Sequence, residues 1–197
     1  MSTRTLVSAG EACQVAHQMR RRNLDQLTGF FDWIVTPQEP FLRHVDLVFD
    51  RILEMEDLDL APNGLSVLDR GTGFRFYQHD FNRLGPGQLP SREEVATVRD
   101  RYLRRAERTR ALLGSGKPVV LFRHFYAGAL DKLPAEAAKI ANAFRSAYPG
   151  GDLRWIWLTQ HDVEPTSLAT GELHSVGTGR DWKGDDARWD ALLDLLV

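Results

Sequence analysis

Residues 5–16 have the sequence TLVSAGEACQVA, and this stretch decides the fold. Its first residues form a short apolar run that is typical of a strand, and Gly10 supplies a turn. The apolar side chains that follow recur at helical spacing, which predicts a helix over 11–22. Cys13, the only cysteine of the chain, is therefore expected in the first turn of a helix that directly follows a strand.

The rest of the chain continues this alternation. Apolar runs predict buried strands at 118–123 and 154–159, and helical periodicity predicts helices over 91–113 and 134–148. The order favours the α/β class, with a three-layer, Rossmann-like arrangement in which helices flank a mostly parallel sheet, in a single domain over 1–197. For the other segments we expect strands at 4–8, 29–35, 65–69 and 73–79, a helix over 38–56, a loop over 163–183 and a helix over 185–197.

The composition excludes several classes of protein. The chain has 43% hydrophobic residues, 26% charged residues and a net charge of −2, so nothing global favours nucleic acid as a partner. Arginine-rich segments at 20–22 and 99–110 are expected to be solvated helix faces. No apolar run approaches the ~18 residues that span a bilayer, so no membrane association is expected.

Cysteine and histidine usage bears on location and cofactors. A single cysteine cannot form an intramolecular disulfide, and the first residues lack the apolar core of a signal peptide, so we expect a cytoplasmic location. The six histidines are scattered without metal-ligand spacing, and the glycines at 71–73 and 177–179 are not phosphate loops. We therefore expect neither a metal nor a cofactor.

Cys13 is the first candidate for chemistry. Unpaired N–H groups at a helix start favour an anion, so the pKa of a thiol falls at such positions. The turn at Gly10 would bring backbone N–H groups toward a substrate oxygen, as an oxyanion hole requires. The competing interpretation is a buried and inert cysteine, and the carboxylate of Glu11 would raise the thiol pKa if the two side chains were close.

Several polar residues are candidate partners of this thiol. His79 ends the run 73–79 and can serve as a general base, while Asp80 or Asp32 could orient it. His124 and His161 each follow a predicted strand, at the sheet edge where α/β proteins bind ligands. Arg123, His124 and His161, together with Gly10, are therefore predicted to contact substrate.

The order of the motifs carries a family resemblance. SAGEACQVA at 8–16 is followed by FDW at 31–33, HDF at 79–81, an arginine-rich helix and VLFR at 120–123. This order resembles a bacterial family of papain-like cysteine peptidases, a domain family of unknown function, over about residues 5–125. The resemblance implies Cys13 as nucleophile, His79 as its base and Asp32 or Asp80 as third member. A papain fold has an antiparallel barrel-like sheet, whereas the strand–helix alternation here favours an α/β sheet.

We therefore expect a cysteine-dependent hydrolase or acyltransferase that works through a Cys-His dyad and an acyl-enzyme. Its substrate would be a small molecule, a peptide or an acyl carrier, and the sequence does not specify an oligomeric state. The alternative is a non-catalytic α/β protein that binds a sugar, a nucleotide or another small polar ligand. In that case Cys13 packs in the core, and Arg123, His124 and His161 line a polar pocket.

Overall fold

The computed structural model describes residues 4–11, 13–24, 27–61, 64–81, 87–126, 129–179 and 181–196. The strands are β1 (Thr5–Ser8), β2 (Ile34–Val35), β3 (Leu58–Leu60), β4 (Ser66–Asp69), β5 (Arg75–Tyr77), β6 (Pro118–Phe125), β7 (Asp152–Thr159), β8 (Thr166–Leu168) and β9 (Gly171–Ser175). The helices are α1 (Gln14–Arg21), α2 (Gln38–Arg43), α3 (Arg92–Leu113), α4 (Leu133–Ala147) and α5 (Asp186–Asp194). Short 3-10 helices span Met55–Asp57 and Gln78–Asp80.

The main sheet is five-stranded, with the order β1-β6-β7-β9-β8. Its first four strands are parallel neighbours, and β8 pairs antiparallel with β9. The register places Leu6 opposite Val120 and Phe122 opposite Ile156. The prediction of an α/β fold with a mostly parallel sheet flanked by helices is confirmed.

Side chains of β6 alternate between two cores, because successive residues of a strand point to opposite faces. Val120 and Phe122 belong to the core that α1 and α5 cover, where Trp189 is fully buried. Val119 and Leu121 belong to the larger core, which contains side chains of α3 and α4. The sheet is thus the middle of three layers.

A second sheet, which the sequence analysis did not predict, covers part of the larger core. It is antiparallel and has the order β2-β5-β4-β3. Phe76 of β5 and Val67 of β4 are fully buried on its inner face. This small sheet ends at Tyr77 and leads directly into the 3-10 helix that carries His79.

The predicted helices at 91–113 and 134–148 and the strands at 118–123 and 154–159 are confirmed as α3, α4, β6 and β7. The first helix begins at Gln14, and Ala12 lies outside the described residues. The last helix covers only Asp186–Asp194, and Val197 lies outside the described residues as well. β6 runs to Phe125, so His124 lies within that strand rather than after it.

Three predicted segments are wrong. The strand expected at 29–35 is a turn from which only Ile34 and Val35 join a sheet. The helix expected at 38–56 ends at Arg43, because the backbone takes left-handed φ values of 56° at Leu47 and 53° at Leu53. The loop expected at 163–183 contains β8 and β9.

Candidate functional site

Cys13 immediately precedes α1, at the carboxyl end of β1. The connection turns at Gly10, whose φ of +79° favours glycine. A Cβ atom at this position would collide with Thr36 Oγ1 and lie 2.7 Å from Arg123 Nη1. The turn that brings Cys13 to the helix start therefore depends on a residue without a side chain.

The Arg123 guanidinium forms hydrogen bonds with this turn. Its Nη1 donates to Ala9 O at 2.8 Å and to Thr36 Oγ1 at 2.8 Å, and its Nη2 donates to Thr36 O at 2.9 Å. The group lies 4.0 Å from the centroid of the Phe41 ring, and burial lowers its pKa to about 10. Arg123 thus joins β6 to the turn after β1 and to the residue after β2.

A cavity of about 630 Å³ lies beside Cys13. Aromatic side chains form much of its wall, and these are Trp33, Tyr77, Tyr126 and Trp182. The arginine, histidine and carboxylate side chains that line it are Arg20, His79, Asp80, Arg101 and Arg105. The Arg20 guanidinium lies over the Trp33 ring, 4.9 Å from its centroid.

The environment of the Cys13 thiol opposes ionisation. Burial raises the pKa of the thiol to about 12, and the negative charges of Asp80 and Asp32 act in the same direction. A hydrogen-bonding contact from the Tyr77 hydroxyl lowers the pKa, as does the Cys13 backbone N–H. The lowered thiol pKa expected at a helix start is therefore wrong for this structure, because desolvation outweighs the helix terminus.

His79 lies at the open side of the cavity, with an exposed side chain. Its ring is stacked on the Tyr77 ring at 5.7 Å and stands edge-on to the Trp33 ring at 6.0 Å. Among the residues that the structure describes, the imidazole makes no hydrogen bond to the thiol. Cys13 and His79 thus share one cavity, with Tyr77 in contact with both.

The two candidate carboxylates differ in position. Asp80 lines the cavity, accepts from the Tyr102 hydroxyl at 2.9 Å and lies 3.4 Å from Arg101 Nη1. Burial raises the pKa of the Asp80 carboxyl, against the lowering effect of His79 and of these hydrogen-bonding partners. Asp32 is buried in the turn before β2, where it accepts from Gly29 N–H at 2.8 Å.

The predicted substrate contacts are spread more widely. His124 is completely buried, and desolvation lowers the pKa of its imidazole to about 3. His161 is exposed after β7. Gly10, Arg123, His124 and His161 are not among the described residues that line the cavity of Cys13, so their contact with substrate stays a prediction.

The sequence analysis missed several residues of the cavity wall. Arg101 and Arg105 were interpreted as part of a solvated helix face, although their spacing of four residues places them on the same side of α3. Tyr77 is the last residue of β5 and lies two residues before His79, so its closeness in sequence to the predicted base was the available signal. Nothing local links Trp182 to the site, because it follows Cys13 by most of the chain.

Comparison with protein families identifies a family that this chain matches. Residues 4–161 match the family described as "Putative papain-like cysteine peptidase (DUF1796)". The chain belongs to this family. No curated protein and no solved structure matches it.

Membership of the papain-like cysteine peptidase family confirms the resemblance and supports a cysteine hydrolase. The match ends at residue 161, whereas Trp182 completes the cavity wall from the chain beyond it. Within the described ranges, no group of three or more His, Cys, Asp or Glu side chains could hold a metal ion. The helices described here include none with the length and apolar character needed to cross a bilayer.

Proposed function

We propose that this protein is a hydrolase or acyltransferase in which Cys13 is the nucleophile and His79 the general base. The observation that carries the proposal is the shared cavity. A thiol at the start of α1 and an exposed imidazole line the same space, which is large enough for a small acyl substrate. Family membership supports the hydrolase class, and the shared cavity supports the choice of Cys13 and His79.

The thiol starts neutral in this proposal, because burial raises its pKa to about 12. As Sγ of Cys13 attacks the carbonyl carbon, His79 takes the thiol proton and the carbonyl oxygen becomes negative. His79 then returns the proton to the leaving amine or thiol as the acyl-enzyme forms. Water or an acceptor amine, deprotonated by the same imidazole, releases the acyl group and restores the thiol.

The oxyanion requires N–H donors near Cys13. The Gly10 N–H already donates to Ser8 Oγ at 3.2 Å, which makes it a poor candidate. The backbone N–H groups of the first turn of α1 remain suitable, since the first donors of a helix have no intrahelical acceptor. We assign the oxyanion to the N–H groups of Cys13 and Gln14.

His79 has to approach the thiol for the transfer. Its exposed side chain can rotate over the Tyr77 ring, and catalytic hydrogen bonds in enzymes without substrate are often long. We choose Asp80 as the third member of a Cys-His-Asp triad, because the charge of the adjacent His79 lowers the pKa of the Asp80 carboxyl. The Tyr102 hydroxyl fixes this carboxylate, which would stabilise the imidazolium that forms during attack.

Acylation by an active ester tests the proposal. Wild-type protein incubated with p-nitrophenyl acetate should gain one acetyl group on Cys13, detected by intact mass and peptide mapping. His79→Ala should slow acetylation by about 100-fold or more, because general base catalysis contributes at least that factor. His17→Gln is the matched control, since His17 lies one turn after Cys13 but does not line the cavity among the described residues.

Two results would contradict the proposal. Acetylation at the wild-type rate in His79→Ala would remove His79 as the base. A thiol that neither acetylates nor reacts with iodoacetamide faster than a free cysteine would favour the non-catalytic alternative. An added amine such as glycinamide separates hydrolysis from acyl transfer. The amine takes the acetyl group from Cys13 only if an acceptor other than water can enter the cavity.

A further inference from the structure

The cavity beside Cys13 has an uneven charge. Its lining residues include three arginines, Arg20, Arg101 and Arg105, but Asp80 supplies the only carboxylate among the described residues of that lining. Arg101 and Arg105 lie one turn apart on α3, so both approach the cavity from the same side. Buried or half-buried guanidinium groups normally face an anion, because the charge is costly to desolvate alone.

Arg105 is the less satisfied member of this pair. Its Nη1 is buried and has no hydrogen-bond partner among the described residues. Its guanidinium lies over the Tyr102 ring, 4.8 Å from the centroid, and its charge lowers the pKa of Asp80 from a distance. Arg105 thus presents a planar donor group to the cavity, and its buried Nη1 has no acceptor within the part of the chain that the structure describes.

Arg101 is only loosely paired. Its Nη1 lies 3.4 Å from Asp80 Oδ1, which is long for a charge-assisted hydrogen bond. The other oxygen of Asp80 accepts from the Tyr102 hydroxyl at 2.9 Å. Among the described residues of the lining, this one carboxylate faces Arg101, Arg105 and the Tyr102 hydroxyl, and it does not satisfy all of their donors.

We propose that the substrate carries an anionic oxygen group, a carboxylate or a phosphate, which binds Arg105 and Arg101 while its carbonyl reaches Cys13. The inference rests on the proposed function, since it names the substrate class of the same site. A planar guanidinium matches both anions, because each offers two oxygens to parallel N–H donors. The aromatic wall at Trp33 and Trp182 then packs against the uncharged part of the substrate.

Alkylating probes of matched shape test this charge preference. N-iodoacetyl-glutamic acid α-amide and N-iodoacetyl-glutamine α-amide differ by one carboxylate, and an N-iodoacetyl-phosphoserine α-amide adds the phosphate arm. Because the chain has one cysteine, every adduct reports on Cys13. The ratio of rates for a charged and a neutral probe cancels differences in thiol pKa between variants.

Wild-type protein should prefer a charged probe over the glutamine probe by about tenfold, the value of one charge-assisted hydrogen bond of ordinary strength. Arg105→Gln should bring the ratio close to one, and Arg101→Gln should lower it. Arg104→Gln is the matched control, because Arg104 lies on the same helix with an exposed side chain. The preferred charged probe identifies the carboxylate or the phosphate as the better ligand.

Equal rates for all three probes in wild-type protein would overturn the inference, and so would a preference that survives Arg105→Gln and Arg101→Gln together. Neither outcome depends on catalysis. If the Cys13–His79 mechanism is wrong but the substrate is anionic, the probes show the charge preference and p-nitrophenyl acetate does not acetylate Cys13. If the mechanism is right but the substrate is not anionic, acetylation requires His79 and the probes show no preference.

Discussion

At the scale of single residues, the environment of the Cys13 thiol outweighs the effect of the helix start on its pKa. A helix start favours a thiolate, yet this thiol is buried next to the carboxylates of Asp80 and Asp32. Desolvation is the largest cause of its raised pKa, and charge repulsion adds to it. In the proposed mechanism, the thiol therefore attacks with simultaneous proton transfer rather than as a stored thiolate.

Two substitutions should move the thiol pKa in opposite directions. Asp80→Asn removes a negative charge and should lower the pKa, so alkylation by iodoacetamide accelerates at a fixed pH. Tyr77→Phe removes the hydroxyl that favours the thiolate and should slow alkylation. The pH profile of the alkylation rate measures both effects.

Asp100→Asn is the control for charge alone, because Asp100 is exposed on α3. It should leave the profile unchanged. Alkylation that is equally fast in the Asp80→Asn and wild-type proteins would show that the carboxylate does not act on the thiol. Asp80 is also the proposed third residue of the catalytic triad. Asp80→Asn should therefore slow acetylation by p-nitrophenyl acetate, although it accelerates alkylation by iodoacetamide.

At the scale of elements, the long segments with a regular apolar pattern could be predicted from the sequence. α3 has 22 residues and a complete capping box between Ser91 and Glu94, and β6 begins with a continuous apolar run over 118–122, so both elements were predicted to within about two residues at each end. The helix expected at 38–56 failed for a different reason. Its apolar residues have helical spacing, but the chain forms turns there, with Leu47 and Leu53 buried in left-handed conformations.

Arg123 connects elements that are distant in sequence, and its loss should destabilise the fold. Arg123→Met leaves Ala9 O and two Thr36 oxygens without their donor in a buried region, which should lower the free energy of unfolding by about 2–4 kcal/mol. Arg123→Lys should recover only part of this, because an ammonium cannot reproduce the planar fork. Urea unfolding at neutral pH measures the change.

The matched control is Arg104→Met, which removes an exposed arginine from α3 and should change the free energy of unfolding by less than about 0.5 kcal/mol. Equal stability of Arg123→Met and wild-type protein would show that the turn after β1 does not need this anchor. A loss of Cys13 alkylation selectivity in Arg123→Lys, at retained stability, would instead identify a positioning role.

At the scale of the whole molecule, the site is assembled from parts that no local pattern connects. The turn after β1 supplies Cys13, the small sheet supplies Tyr77 and leads to His79, and α3 supplies Arg101 and Arg105. Trp182 comes from the loop before α5, where its carbonyl accepts from Gln14 Nε2 at 3.1 Å. Motif order predicted Cys13, His79 and Asp80, which line one cavity, but the rest of its wall depends on packing between layers.

One buried and two half-buried histidines make the stability of the whole fold depend on pH. Desolvation lowers the pKa of His124 from 6.5 to about 3, and it also lowers the pKa values of His44 and His17. Between about pH 3 and pH 6.5 the unfolded chain therefore binds protons that the folded chain does not. The free energy of unfolding should be highest above about pH 6.5 with respect to these groups, and should fall as the pH decreases through that window.

His124→Leu should flatten this dependence, because the substitution removes the imidazole whose pKa burial lowers to about 3 and puts an apolar side chain in its place on β6. The measurement is the difference in unfolding free energy between about pH 8 and about pH 5, from urea denaturation of both proteins. His161→Gln is the control, since His161 is exposed, and it should retain the wild-type difference. If His124→Leu loses as much stability on acidification as wild-type protein, the His124 imidazole is solvated in the folded protein. That result would contradict the burial of this side chain in the packed layer around β6.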